Sequence, residues 1–168
     1  KCRMKPMLAV EAPREIKFPV YASAKLDGIR AVIKDGMVMS RSMKPIPNRY
    51  VQEQLSSEIL NGLDGELTVG LASDKNVMQA TTSGVMSRDG EPDFTFWVFD
   101  FWNNNLMPYG EKIRLMEHAA KSGGFNGHPR IKLLRQSIIL NDTELRAFEA
   151  VTLSEGFEGV MLRSPMGT

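Results

Sequence analysis

A lysine stands at the end of an apolar segment near the start of the chain. Lys25 follows the strand-like run Val20–Ala24 and precedes Asp27, Gly28 and Arg30. Apolar neighbours disfavour the charged ammonium relative to the neutral amine, and a neutral amine is a nucleophile. Gly28 would let the backbone approach a ligand closely, and Arg30 offers a planar fork that suits phosphate. Taken alone, a snorkelling lysine at a strand end is the more ordinary explanation.

Three further segments place acids beside apolar strands. GLDGELTVG contains Asp64 and Glu66, FTFWVFDFW carries Asp100 inside an aromatic run, and EGFEGVMLRSP has Glu158 before an apolar run that ends at Arg163. Burying an unpaired acid such as Asp100 would be costly, so that residue needs a partner. Taken singly, each segment is also typical of a surface turn or a buried strand.

The strands that would position these residues are apolar or alternating runs bounded by turn residues. The pair Asp35-Gly36 separates two of these runs and indicates a tight hairpin. The predicted strands are Val20–Ala24, Ile29–Lys34, Met37–Arg41, Glu66–Gly70, Phe94–Phe101, Arg130–Leu140 and Gly159–Arg163.

Three helices are predicted between the strands. The first begins after an Asn48 cap and ends at Asn61-Gly62, and its apolar face carries Val51, Leu55 and Ile59. The second spans Tyr109 to Lys121. The third begins after Asn141, where Glu144 completes a capping-box-like start, and its apolar face carries Leu145, Phe148 and Leu153. Because hairpin-linked strands are grouped between isolated helices, the pattern favours an α+β fold with largely antiparallel sheets over a doubly wound parallel sheet.

Length and composition predict one domain over residues 1–168. The formal net charge is +1, so affinity for a polyanion must come from a local basic face. The single cysteine, Cys2, excludes a disulfide framework within the chain and a cysteine-based zinc site. No apolar run approaches the roughly 18 residues that cross a bilayer, and no signal peptide is recognisable. We therefore expect no membrane association and a cytoplasmic location.

Together and in this order, the four segments resemble the motifs of the covalent nucleotidyltransferases, which comprise ATP-dependent DNA ligases, RNA ligases and mRNA capping enzymes. KLDGIR resembles the lysine motif K-x-D-G-x-R, DGEL the third motif, FWVFD the aromatic motif and EGVMLR the fourth motif. The form of these motifs, with Arg30 and the pair Ser40-Arg41, resembles compact viral or bacterial ATP-dependent DNA ligases most closely. The resemblance implies an ATP-grasp-like nucleotidyltransferase (adenylylation) domain whose antiparallel sheets are flanked by helices.

The resemblance implies that Lys25 attacks the α-phosphorus of ATP, expels pyrophosphate and carries AMP. Glu66 resembles the acid that reaches the ribose or a metal-bound water, and Glu158 resembles the acid that positions a divalent cation. Magnesium is the expected ion, because it prefers few carboxylates together with water and phosphate oxygens. By the same resemblance, AMP passes to the 5′-phosphate of a nick, which a 3′-hydroxyl then seals, in DNA replication, repair and recombination.

The remaining nucleotide contacts are also implied by the resemblance. Phe99 matches the aromatic residue that stacks on adenine, with Trp97 as the alternative on the same strand face. Arg30 would hold the ribose or a phosphate. The backbone around Ser23 and Ala24 would read the edge of the base.

Nicked double-stranded DNA is the implied partner of a monomeric enzyme. Arg41 resembles the arginine that holds the 5′-phosphate of the nick. With Lys44 and Arg49 it would form a local basic patch, the arrangement by which a protein of net charge +1 could still grip DNA. Solvent exposure without DNA contact is the ordinary explanation for Lys44 and Arg49.

The match is incomplete at its end. The K-x-K-like motif that follows the fourth motif in relatives, and the OB-fold domain beyond it, do not occur in the sequence. We therefore expect a catalytic core, truncated before that motif, that adenylylates poorly and seals nicks weakly by itself. Two alternatives remain open at this point: RNA ligase or GTP-using capping chemistry, which shares the lysine motif, and a catalytically silent nucleotide-binding fragment.

Overall fold

Two β-sheets face each other across a cleft in the computed structural model, which describes residues 15–102, 107–121, 125 and 127–167. The three-stranded sheet contains β1 (Val20–Ala24), β7 (Ser137–Ile139) and β8 (Val160–Arg163) in the order β7-β1-β8. Both of its pairings are antiparallel, with Ala22 opposite Ser137 on one side and opposite Leu162 on the other. We refer to it as the small sheet.

The five-stranded sheet, referred to as the large sheet, has the order β3-β2-β4-β5-β6. Its strands are β2 (Ile29–Lys34), β3 (Met37–Ser40), β4 (Leu63–Val69), β5 (Phe94–Phe101) and β6 (Ile131–Leu133). Only β5 and β6 pair in parallel among these strands. The α+β class with largely antiparallel sheets is therefore confirmed.

Four α-helices accompany the sheets in the described part of the chain. They are α1 (Arg49–Gln54), α2 (Val77–Val85), α3 (Tyr109–Lys121) and α4 (Asp142–Ser154), and a short 3-10 helix spans Glu58–Leu60. α3 packs against β5 and β6, whereas α4 packs against β1 and β7. None of the helices in the described ranges has the length and apolar character needed to cross a membrane.

Local turn and cap chemistry behaves as the sequence predicts. Asp35 and Gly36 have positive φ angles of 52° and 77° and join β2 to β3 in a two-residue hairpin. The side chain of Asn48 accepts a hydrogen bond from the backbone N–H of Val51, and that of Asn141 does the same for Glu144. These contacts satisfy N–H groups that the first turn of a helix leaves without partners.

Each sheet buries its own hydrophobic core. The larger core combines the large sheet with α1 and α3 and includes the fully buried side chains of Ile33, Leu67, Phe94 and Phe96. The smaller core lies between the small sheet and α4; it contains Val20, Ala22, Ile139, Leu145, Val160 and Leu162. The opposite face of the small sheet is left to line the cleft.

The predicted strand Arg130–Leu140 is wrong as a single element. Its first part is β6 in the large sheet and its last part is β7 in the small sheet. Leu134 still donates its N–H to the carbonyl of Val98, after which the chain crosses between the sheets, and Ser137 pairs with Ala22. A continuous apolar pattern does not reveal this change, because it specifies which side chains are buried but not which strand pairs with them.

Other boundaries also differ. β4 begins at Leu63 rather than Glu66, because the ladder with β2 and β5 extends back through Asp64. β3 ends at Ser40, so Arg41 lies in the following turn. Ile59 is 69% exposed, since the first helix ends at Gln54 and does not carry its apolar face that far.

Helix α2 was not anticipated. Its buried residues, Val77, Thr81 and Val85, recur every fourth position, which is helical spacing. Because two of them are β-branched valines and the third is a polar threonine, the propensity signal is weak. Burial against the large sheet, where Thr81 accepts a hydrogen bond from the backbone N–H of Val69, stabilises the helix instead.

Candidate active site

A cleft with a volume of about 1330 Å³ lies between the two sheets. The small sheet contributes residues from β1 and β8, and the large sheet contributes residues from β2, β4 and β5. Of the site residues predicted from the sequence, the cleft is lined by Ser23, Ala24, Lys25, Arg30, Arg41, Glu66 and Phe99. Lys44 and Glu158 are exposed and do not line it.

Lys25 lies directly after the last residue of β1. Its backbone N–H donates to the carbonyl of Gly159 at 3.0 Å, which ties it to the start of β8. Its Nζ is 3.6 Å from Oδ1 of Asp27, and both side chains are 37% exposed. The expected removal of the amine from water by apolar neighbours is therefore not seen: the ammonium faces the open cleft beside a carboxylate.

Glu66 lies on β4 opposite Arg30 of β2. Its Oε2 accepts a hydrogen bond of 3.0 Å from the backbone N–H of Gly28. Burial raises the pKa of Glu66 to about 7, because an apolar environment disfavours the carboxylate; the Gly28 N–H and the charges of Arg30 and Lys25 oppose this shift only in part. At neutral pH this acid is divided between its two protonation states.

Gly28 is required by the close packing of two strands. A Cβ atom at this position would lie 2.0 Å from the carbonyl oxygen of Leu67 on β4. Gly28 also lines the cleft, but the backbone it lets approach is that of its own sheet. The close approach of a ligand at Gly28, expected from the sequence, stays a prediction.

Arg30 is already held by a protein carboxylate. Its Nε and one terminal nitrogen donate to the two oxygens of Asp64 at 2.7 and 2.8 Å, a bidentate pair. Asp64 raises the pKa of Arg30 further above its ordinary value through this hydrogen bond. The expected grip of Arg30 on ribose or phosphate would have to compete with this pair. Its guanidinium carbon lies 5.0 Å from the centre of the Phe99 ring.

Phe99 has a guanidinium on each of two sides. The second belongs to Arg163 of β8, 4.4 Å from the ring centre. Phe99 sits at a bulge, because Asp64 pairs with Asp100 while Gly65 pairs with Val98, which leaves Phe99 without an opposite residue. A bulge shifts the residues after it relative to the regular alternation, and here it places Asp100 opposite Asp64, while Phe99 lines the cleft.

Trp97, the alternative aromatic residue, does not line the cleft. Its indole N–H donates to the hydroxyl oxygen of Thr68 at 2.9 Å, and Nζ of Lys132 lies 5.6 Å from its ring centre. Of the two aromatic residues, Phe99 is the one that lines the cleft, with 6% of its surface exposed.

Asp100 has the partner that its position requires. Nζ of Lys112 on α3 is 3.2 Å from Oδ1 of Asp100, and Lys112 itself is buried. Burial nevertheless raises the pKa of Asp100, because the attraction of Lys112 offsets the desolvation only in part. This pair fastens α3 to the large sheet beneath the cleft.

Two cleft residues, Tyr109 and Met161, and the neighbouring Asp64 were given no role from the sequence. Asp64 holds Arg30, Met161 lines the cleft from the small sheet, and Tyr109 donates its hydroxyl to the carbonyl of Phe99 at 2.6 Å. Two of them could have been identified from the sequence, because residues two apart on a strand point to the same face of the sheet. Asp64 stands two residues before Glu66 on β4, and Met161 stands two residues before Arg163 on β8, so each shares a face with a residue that had been singled out.

The acids of the site do not form a cage for a metal ion. Within the described ranges, no group of three or more His, Cys, Asp and Glu side chains could hold one. Glu66 is engaged with Gly28, and Glu158 is exposed one residue before Gly159. The donor set therefore fits only an ion that takes few carboxylates and completes its shell with water and phosphate oxygens, which is the habit of magnesium.

The sequence and fold match known proteins. The family model described as an ATP dependent DNA ligase domain matches residues 6–168. The crystal structure of Chlorella virus DNA ligase-adenylate is 33% identical with a TM-score of 0.79; the match covers 99% of this chain and 63% of that ligase. The chain thus spans less than two thirds of that relative's length. No curated protein matches the sequence.

More distant structures share the fold. The ligase domain from Mycobacterium tuberculosis LigD is 20% identical with a TM-score of 0.62, over 89% of this chain and 48% of that one. The ATP-dependent DNA ligase from bacteriophage T7, in complex with ATP, is 16% identical with a TM-score of 0.58, over 89% of this chain and 57% of that one.

Proposed function

The chain belongs to the ATP-dependent DNA ligase domain family, and we propose on that premise that it performs the nucleotidyl transfer of a DNA ligase at Lys25. In this proposal Lys25 takes AMP from ATP and passes it to the 5′-phosphate of a nick in double-stranded DNA, which the 3′-hydroxyl then seals. The cleft between the sheets would hold the nucleotide. We further propose a monomer that acts in the cytoplasm in DNA replication, repair and recombination.

One observation carries the proposal: the only lysine that lines the cleft, within the described ranges, is Lys25. Its backbone is fixed between β1 and β8, and Glu66 and Phe99 line the same cleft from the large sheet. A nucleophilic amine, an acid of raised pKa and an aromatic ring in one cleft are what transfer of a nucleotide to nitrogen requires.

The first step is a displacement at phosphorus, in which one bond forms and one breaks. The unprotonated Nζ of Lys25 forms a bond to the α-phosphorus, the bond from that phosphorus to pyrophosphate breaks, and one amine proton is released. The amine must therefore be unprotonated when it attacks, and in the structure its Nζ lies 3.6 Å from Oδ1 of Asp27. The positive charge of a bound cation near the amine would favour the neutral form.

Magnesium would supply that charge and would neutralise the departing pyrophosphate. Glu158, exposed beside the Lys25–Gly159 hydrogen bond, would contribute a carboxylate to it, and Glu66 is the second candidate. Because Glu66 has a pKa of about 7 and accepts the Gly28 N–H, it suits a hydrogen bond to the ribose better than a place in the metal shell.

Phe99 and Met161 would enclose the base. They line the cleft from opposite sheets, Phe99 from β5 and Met161 from β8, and a flat purine packs well between an aromatic ring and a thioether. Ser23 and Ala24 of β1 line the same region. The neighbouring backbone is therefore available to read the base edge.

The later steps transfer AMP and join the strands. A 5′-phosphate oxygen attacks the phosphorus of the lysine adduct, the nitrogen–phosphorus bond breaks, and Lys25 recovers its proton. The 3′-hydroxyl oxygen then attacks the 5′-phosphorus, and AMP leaves. Arg41, exposed at the edge of the cleft, would hold the 5′-phosphate, and the exposed Lys44 would contribute to the basic patch.

Intact-mass spectrometry tests the proposal. After incubation with ATP and magnesium, the chain should gain the mass of one AMP, and added pyrophosphate should remove it by regenerating ATP. Lys25→Ala should show no adduct, whereas Lys75→Ala, a change at an exposed lysine outside the cleft, should keep it. A parallel incubation with GTP distinguishes capping-type chemistry.

The proposal fails if the wild-type chain forms no adduct even with stoichiometric enzyme and long incubation, or if Lys25→Ala still forms one. An adduct with GTP in place of ATP would retain the lysine chemistry and overturn the choice of base.

A further inference from the structure

A second pocket adjoins the cleft at its Arg41 end. Its volume is about 370 Å³, near the lower end of the roughly 300–1,000 Å³ range of small-ligand pockets. It shares Arg30 and Arg41 with the cleft, so the two cavities are continuous along one surface. Its remaining walls come from β2, the turn after β3, and the end of β5. None of the nucleotide chemistry proposed above uses it.

An exposed tryptophan forms one side of this pocket. Trp102 follows the last residue of β5 and is 58% exposed, although large aromatic side chains are usually mostly buried. Its backbone N–H donates to the carbonyl of Gly62 at 2.7 Å, which anchors the residue to the start of β4. The indole is thus held at the surface by a fixed main chain.

Two cationic side chains lie in the same pocket as the indole. Nζ of Lys34 lies 5.3 Å from the centre of the Trp102 ring, and Arg41 lines the same pocket. The acid that lines it, Asp64, is bound to Arg30 by the bidentate pair. The charges of that pair cancel, and Lys34 and Arg41 leave the pocket with a net positive charge.

The apolar part of the lining suits a flat ring. Val32 and Met43 line the pocket together with Trp102. An aromatic platform beside cations is the arrangement by which proteins bind single-stranded nucleic acid, with bases stacked on the ring and the backbone held by positive charges. Two cations beside an indole suit a nucleic-acid strand better than a peptide.

We propose that this pocket, here named the Trp102 pocket, binds an unpaired nucleotide of a nucleic-acid strand. The base stacks on Trp102, and the phosphates lie along Lys34 and Arg41. The inference rests on the proposed function in one respect, namely that a strand of the DNA substrate is the occupant. Because the pocket continues the cleft, a strand with its 5′-phosphate at Arg41 could place an adjacent unpaired base there.

The two tryptophans of the chain allow a direct test. Trp97→Phe leaves Trp102 as the only indole, and its fluorescence should be quenched when a short 5′-phosphorylated oligothymidylate is added. Trp102→Phe leaves only Trp97, which is bonded to Thr68 away from the pocket, and should show no quenching under the same conditions. Anisotropy of a labelled copy of the same oligonucleotide reports binding independently of the tryptophans.

The oligonucleotide affinities of single-residue variants distinguish base stacking on Trp102 from non-specific electrostatic attraction. Trp102→Ala should weaken oligonucleotide binding about tenfold, within the range that one stacked base supplies, and Trp102→Phe should recover part of the loss. Leu71→Ala, a change at a 74% exposed side chain elsewhere, should leave binding unchanged. Lys34→Ala should reduce the slope of log affinity against log salt concentration by about 0.7, the contribution of one phosphate contact to single-stranded DNA.

The inference is overturned if the oligonucleotide binds by anisotropy and the emission of Trp102 does not change, or if no binding occurs. Equal affinities for Trp102→Ala and wild type would overturn it as well. The lysine adduct with ATP is measured on the same Trp102→Ala protein, and Trp102 takes no part in forming it. Loss of the Trp102 pocket and failure of the proposed function are therefore distinguishable results.

Discussion

The two sheets that face the cleft are built differently. The large sheet rests on the larger core, and its polar cleft residues bind one another: Arg30 with Asp64, and Glu66 with the backbone of Gly28. The small sheet rests on a smaller core with α4 and leads into Lys25, whose side chain forms a salt bridge of 3.6 Å with the partly exposed Asp27.

This difference suggests a division of tasks between the sheets. The larger core and the short hydrogen bonds fix the large-sheet side of the cleft, which in the proposed function orients the nucleotide. The small sheet fixes the backbone of Lys25 through Gly159, and the side chain, 37% exposed, is held less tightly by a salt bridge of 3.6 Å to Asp27. Three sets of substitutions test whether the sheets differ in stability and electrostatics as this division requires.

The largest expected effect comes from truncating the two cores. Phe96→Ala in the large sheet should lower the free energy of unfolding by about 4 kcal/mol, and Leu162→Ala in the small sheet by about 2–3 kcal/mol. Both side chains are buried, at 0% and 4% exposure, but the phenyl ring leaves the larger cavity in the denser core. Urea denaturation followed by circular dichroism measures both values.

Ile138→Ala on β7 is the control for this pair, because that side chain is 57% exposed and its loss should cost less than about 0.5 kcal/mol. A cost for Leu162→Ala equal to or above that for Phe96→Ala would contradict the described contrast between the cores.

The second effect compares two ion pairs, one that joins α3 to the large sheet and one on the surface of α4. Lys112→Met should destabilise the protein by about 3 kcal/mol at neutral pH, because it leaves the half-buried carboxylate of Asp100 without its cation. Arg146→Met breaks an exposed pair with Asp142 on α4, where the side chains are 78% and 62% exposed, and should cost less than about 0.5 kcal/mol. Thermal denaturation of the two variants side by side measures the difference.

Because burial raises the pKa of Asp100, the cost of Lys112→Met should shrink as the pH is lowered and that carboxyl becomes neutral. A cost that is independent of pH would mean that lost packing of the lysine chain, and not the charge, is responsible.

The smallest effect is a pH dependence at Glu66. Its pKa of about 7 lies above the ordinary 4.5, so the folded state holds the proton more tightly than the unfolded state between these values. Stability from this residue is therefore full below about pH 4.5 and is lost as the pH rises towards 7. Glu66→Gln should accordingly be more stable than wild type by about 2 kcal/mol at pH 8 and equal to it at pH 4.

Glu158→Gln, a change at an exposed acid next to the small sheet, should leave the dependence of stability on pH as in wild type. Stability curves of wild type and Glu66→Gln that run parallel from pH 4 to pH 8 would show that Glu66 is ionised normally and would remove the electrostatic part of the contrast.

Much of the fold was predictable because it depends on local chemistry. The Asp35-Gly36 hairpin and the Asn48 and Asn141 caps follow from the φ angles and hydrogen-bonding groups of a few adjacent residues. The division of Arg130–Leu140 between two sheets was not predictable, because an apolar strand fits either partner equally well. Helix α2 was not predictable for a related reason: its stability comes from burial against β4 rather than from the helix propensity of its own residues.

The candidate site shows the same limit. Lys25, Glu66 and Phe99 could be selected by residue type and motif spacing, and the structure brings them to one cleft. The pairing of Asp100 with Asp64 at the bulge and the capture of Arg30 by Asp64 could not be selected in this way. Each depends on the register between strands that are far apart in sequence.

The sequence by itself determined which residues could do chemistry, where the chain turns and which helices begin with a cap, because these properties reside in single side chains or in neighbours along the backbone. The tertiary structure alone decided the surroundings of those residues. An ammonium beside Asp27, an acid whose pKa rises to about 7 and an indole left at the surface are set by burial and by distances to residues from other strands. Solvation and Coulomb interactions depend on these distances in space, and positions along the chain do not specify them.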